Sequence, residues 1–220
     1  MFFFASCTTQ ETELATPLPQ NNIENEHIQF IMDLQNGESL YSDDQLQNWR
    51  MADASDSIPE FADFSNLTHV RLFVSANPHR YEGYVMYGLH FFRKKDFEVA
   101  VSAYDMAEAI IQTQKIKDTV EYRKFYELSL VMLYRQQRNH NKALALDAFE
   151  KLARLDYEFF SRVPELANVI ALAAMDYYKS GRLEDAKRLV VHTRGLKHIP
   201  ADVIEKLEWL YKKIDAEQGK

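Results

Sequence analysis

A spacing of 43 residues constrains this chain more than any other feature. Ala100, Ala143 and Ala186 stand 43 residues apart, and so do Phe91, Tyr134 and Tyr177. A small residue in one column and an aromatic in another, three times over, mark a repeating unit in which two helices approach closely. Apolar positions at helical spacing over Tyr81, Tyr84, Val85, Gly88, Leu89 and Phe92 predict the first helix, with Asn77 as N-cap and Pro78 at its first position. Lys94-Lys95-Asp96 breaks the pattern before a second helix through Ala100, Tyr104, Ala107 and Ile111. Two further pairs follow, about 118–138 with 140–157 and 164–180 with 183–194, the last divided at Gly181. A final helix from Ala201 to about Ala216, apolar at Val203, Ile204, Leu207, Leu210 and Tyr211, closes the stack as a cap.

The first unit resembles the tetratricopeptide repeat: Tyr84, Tyr87-Gly88, Phe91, Ala100, Tyr104 and Ala107 fall at that family's spacing, and Asp96-Phe97 at its turn. The third unit matches through Ala174, Tyr177, Gly181, Leu183 and Ala186. The second matches poorly, because Asp147 and Glu150 stand where an aromatic and a small residue are expected, so its second helix is turned or shifted in phase. The period also exceeds the family's roughly 34 residues. The resemblance implies an all-α fold, a right-handed superhelical solenoid of antiparallel helix pairs over 77–196, with a capping helix and tail over 197–220. The rival is an irregular helical bundle with one chance match.

Composition agrees with helix. Only 6 Gly and 6 Pro among 220 residues disfavour a sheet protein built from many tight turns. The net charge of −7, with basic residues scattered, gives no attraction to phosphate backbones, so nucleic acid is not an expected partner. Residues 23–50 predict one or two amphipathic helices interrupted at Asn36-Gly37; residues 23–76 as a whole read as an irregular, mostly helical segment, with 67–75 fitting helix or strand by pattern and helix by context.

The start of the chain carries a second resemblance. Phe2-Phe3-Phe4-Ala5-Ser6 before Cys7 is similar to the lipobox of bacterial lipoproteins, though Phe4 replaces the usual Leu and the basic and full apolar regions of a signal are lacking. The resemblance implies a truncated signal over the first residues, lipidation at Cys7, a flexible tether to residue 22 and an outer-membrane, periplasm-facing location. The alternative is a cytoplasmic protein with an unstructured start. No segment reaches the roughly 18 apolar residues of a spanning helix, so Cys7 is the only expected membrane link.

No nucleophile elbow, phosphate loop, HExxH or calcium loop is present, and the seven histidines include no i, i+4 pair. The expectation is therefore a non-catalytic protein with no cofactor and no metal, an adaptor for a protein or peptide; the alternatives are a cytosolic regulatory or structural module and an enzyme on a helical scaffold, which would need a deep pocket with convergent titratable groups. The family's concave face comes from the first helix of each unit, and the resemblance maps it to Glu82, Val85, Leu89 and Arg93, then Phe125, Leu128, Met132 and Gln136, then Asn168, Ala171, Met175 and Lys179. A mostly apolar face containing methionine and an aromatic suits an amphipathic helix or apolar peptide. The competing expectation is that residues 23–75 fill this face from within the chain.

Overall fold

The computed structural model describes residues 21–51, 63–116, 120–155, 164–194 and 199–218, and these contain helices and no strand. In chain order the helices are α1 (Asn21–Gln35), α2 (Asp43–Leu46) running into a 3₁₀ turn (Gln47–Trp49), α3 (Leu67–Ala76), α4 (Tyr81–Arg93), α5 (Phe97–Gln114), α6 (Val120–Gln137), α7 (Lys142–Leu155), α8 (Pro164–Lys179), α9 (Leu183–Arg194) and α10 (Ala201–Gln218). The closest packing is within the sequential pairs α4/α5, α6/α7 and α8/α9, with α10 against both α8 and α9. The lipobox-like residues and most of the tether lie outside the described residues.

The segment 67–75 is helical, as its context suggested. Asn66 caps it, its side-chain oxygen accepting from the Thr68 amide at 2.9 Å. Asn77 has a different role from the one expected of it. It does not cap α4, which begins only at Tyr81. Asn77 is buried instead; its amide donates to the Trp49 carbonyl at 2.7 Å and the Phe73 carbonyl at 3.0 Å, and its oxygen accepts from the Met51 amide at 2.9 Å. Asn77 thus forms a buried corner that ties residues 49–51 to the end of α3, because an amide side chain can satisfy both kinds of backbone group at once.

The repeat is exact in the first helices and shifted in the second. The columns 84/127/170, 87/130/173, 88/131/174 and 91/134/177 keep the 43-residue spacing, and every member is buried. In α5, α7 and α9 the expected Ala143 is exposed and Ala145 is buried in its place. The buried columns are Ala100/Ala145/Ala186, Tyr104/Phe149/Val190 and Ala107/Leu152/Thr193. Phe149 therefore takes the aromatic position where the even spacing puts Asp147, and Leu152 the small position where it puts Glu150.

The turns explain the shift. After α4 and α8 the chain makes the same motif: Asp96 donates back to the Phe91 carbonyl and Arg182 to the Tyr177 carbonyl, around left-handed Lys95 (φ 63°) and Gly181 (φ 74°). After α6 there is no left-handed residue. The chain runs on through Arg138 to Asn141, whose side chain caps α7 by accepting from the Leu144 amide at 3.2 Å. Tyr134 thus lies seven residues before its cap where Phe91 and Tyr177 lie five, and the downstream helix starts two residues later.

The core is a continuous run of aromatics between pairs. Tyr104 of α5 packs against Tyr122 and Tyr126 of α6, with ring centroids 6.3 and 5.6 Å apart; Phe149 of α7 stands between Tyr134 of α6 (6.0 Å) and Tyr177 of α8 (6.3 Å). Each pair leaves an apolar side that the next one buries and so removes from water.

Candidate interaction surface

The first helices of the pairs are neighbours. α4 touches α6, α6 touches α8, and α8 touches α10, so the four form a wall in which α10 takes the place of a fourth first helix. Phe92 meets Phe125 edge to face at 5.6 Å between α4 and α6. Between α6 and α8 the buried Asp176 accepts from the Tyr134 hydroxyl at 2.7 Å and from Arg138 Nε and Nη2 at 2.6 and 3.1 Å. Burial and the Asp176 carboxylate push the Tyr134 hydroxyl well above the ordinary phenol range, so it stays a donor. On the far side of α8, Lys206 of α10 donates to Asn168 at 3.2 Å and the Tyr178 hydroxyl bonds Glu217.

The expected face residues sit on this wall at graded depth. Phe125 and Met132 are 39% and 37% exposed, Val85 and Met175 are half-buried against the core, and Leu89 and Leu128 are half-buried. Arg93, Gln136 and Lys179 are exposed. Glu82 is half-buried in an ion pair with Arg80 at 2.9 Å, and Asn168 holds Lys206. Ala171 is buried, so a ligand would meet its neighbours first.

The N-terminal helices pack elsewhere. Phe30 of α1 stacks on Tyr87 at 5.5 Å and His27 lies 4.6 Å from Phe91, both on the buried side of α4, and Arg71 of α3 covers Phe30. Burial, with the Arg71 charge, lowers the pKa of His27 from its ordinary value, which keeps the ring neutral against Phe91. These contacts leave Phe125 and Met132 uncovered.

The cap role expected of α10 does not single out Trp209, which lies at the surface. It is 53% exposed, off the buried stripe Val203, Leu207, Leu210 and Ile214, and Lys213 Nζ sits 5.0 Å from its ring and 5.1 Å from that of Tyr178. An aromatic outside the apolar stripe of an amphipathic helix was the available signal.

Among the described residues no group of three or more His, Cys, Asp or Glu is placed to hold a metal, and no helix is long and apolar enough to cross a membrane. Compared with models of known families, with curated proteins and with solved structures, the chain matches none.

Proposed function

We infer that this protein is a non-catalytic adaptor, a tetratricopeptide-like solenoid whose wall of first helices captures an amphipathic helix or apolar peptide of a partner protein. The observation that carries this reading is the exposure of Phe125 and Met132 on α6 amid half-buried apolar neighbours, on a wall that α1 to α3 leave open. Large apolar side chains in such a setting are where binding energy concentrates, and methionine adapts its shape to a partner. The buried columns that repeat along α4, α6 and α8, and along α5, α7 and α9, support the solenoid reading.

The test is site-specific photo-crosslinking in the native host. A crosslinking residue at 132 should give a discrete adduct with one partner, absent when the residue is placed at exposed position 143 and lost on Phe125→Asp. Thermal unfolding of Met132→Glu should match the parent protein. An adduct equally strong from both positions, or unfolding caused by Met132→Glu, refutes the assignment.

With this role we propose an envelope location, lipid-anchored through Cys7 at the periplasmic face of the outer membrane, on the strength of the Phe2–Cys7 pattern alone. Two acyl chains anchor stably where one is marginal. Mass spectrometry of the native protein tests this: an unmodified peptide spanning Phe4 to Glu11 refutes the anchor.

A further inference from the structure

A cleft of about 440 Å³ opens between α7, α8 and α9, away from the wall described above. Its floor is apolar, made by Phe149 and Ala153 of α7, Tyr177 of α8 and Leu189 of α9. Across it runs a chain of alternating charges. Arg154 approaches Glu150 at 3.8 Å, Glu150 accepts from Arg182 at 3.0 Å, Arg182 donates to Asp185 at 2.6 Å, and Asp185 pairs with Arg188. The middle of the chain is held in place, because the Arg182 guanidinium lies 4.5 Å over the Tyr177 ring and the Tyr177 hydroxyl donates to Glu150 at 3.1 Å. Its two ends face solvent, the Arg154 and Arg188 side chains being 77% and 75% exposed.

Three guanidiniums and two carboxylates leave one positive charge, with arginines at both ends of the row. Both carboxylates are engaged by arginine, and Asp185 is held ionised: burial works against this, but the hydrogen bond and charge of Arg182 with the charge of Arg188 outweigh it and lower its pKa. An anion in the cleft, which Arg154 and Arg188 both line, balances the remaining positive charge, while an attached apolar group covers the floor. We propose that this cleft binds an apolar monocarboxylate. The shared chemistry is one carboxylate on a hydrocarbon or aromatic body, as in a small organic acid or the C-terminal residue of a peptide. The volume suits a ligand of that size, and planar guanidiniums suit a carboxylate.

The experiment uses the full chain and saturation-transfer NMR, with 4-phenylbutyrate as probe and its neutral amide as control. Saturable binding of the acid is expected, weakened roughly tenfold or more in the amide, since a charge-assisted pair is lost. Arg154→Gln with Arg188→Gln should weaken the acid to the same degree without changing the melting temperature, because both side chains are exposed. A tripeptide ending in Phe, with free or amidated terminus, separates the sources: tighter binding of its free acid assigns the cleft to a chain end, and tighter binding of 4-phenylbutyrate assigns it to a small acid. The proposal is overturned if the amide binds as well as the acid, if inorganic phosphate displaces the acid at equal concentration, if the double variant binds normally, or if nothing saturates by about 10 mM.

Discussion

At Gly88 the backbone of α4 comes up against the Tyr104 ring of α5. A Cβ added there would lie 2.8 Å from Cε1 and Cζ of Tyr104 and 3.0 Å from its Cδ1. Tyr104 is fully buried and has little room to retreat, since Tyr122 and Tyr126 stand behind it. Two effects oppose each other in Gly88→Ala. Replacing a mid-helix glycine by alanine stabilises by about 1 kcal/mol, whereas overpacking a rigid core costs about 1–3 kcal/mol. The contact should win, for a net loss of about 1 kcal/mol. In a Tyr104→Ala background the obstacle is gone, so the same substitution should stabilise by about 1 kcal/mol, a coupling near 2 kcal/mol. For a chain of this size each 1 kcal/mol moves the melting temperature by roughly 2–4 °C. Urea unfolding of the four proteins in the cycle measures the coupling directly. If Gly88→Ala stabilises the parent protein as much as it does the Tyr104→Ala variant, the close approach does not exist and the pairing of α4 with α5 is wrong in detail.

The phase of the second pair can be checked by contrast. Ala145→Leu should cost about 1–3 kcal/mol by overpacking while Ala143→Leu stays within about 0.5 kcal/mol, and the reverse order in denaturant titrations restores the uninterrupted 43-residue register. Asp176→Ala should cost about 3 kcal/mol, because Tyr134 and the partly buried Arg138 both lose their acceptor; a loss under about 1 kcal/mol in the same assay means that the junction between α6 and α8 does not depend on this cluster. Burial pushes the hydroxyls of Tyr84 and Tyr87 up to about 12, above their unfolded value near 10, so the stability they contribute is complete below about pH 10 and is lost as the pH rises towards 12. Circular dichroism and tyrosinate absorbance should therefore change together in that window, and full phenol titration near pH 10 with helicity intact would contradict their burial.

Much of the architecture was legible in the amino-acid order. Helical periodicity reports which residues share a face, and a small residue opposite an aromatic reports a close crossing, so Gly88, Phe91, Ala100 and Tyr104 could be read directly. The same logic located the interruption at Asn36-Gly37 and, by context, the helix over 67–75. It failed at Ala143 because a column spacing counts residues without regard to the turn they pass through. The turn after α6 lacks the left-handed residue of the other two and holds two extra residues, which moves the buried column to Ala145, Phe149 and Leu152. Periodicity also does not tell which helix faces which. That Asn77 is a buried corner, that Asp176 bridges back to Tyr134 and Arg138, that Lys213 of α10 reaches the Tyr178 ring of α8, and that Arg154, Glu150, Arg182, Asp185 and Arg188 form one row depends on contacts between residues far apart in the chain. Such contacts arise only when helices stack, because the energy of stacking lies between elements and leaves no mark in the spacing within any one of them.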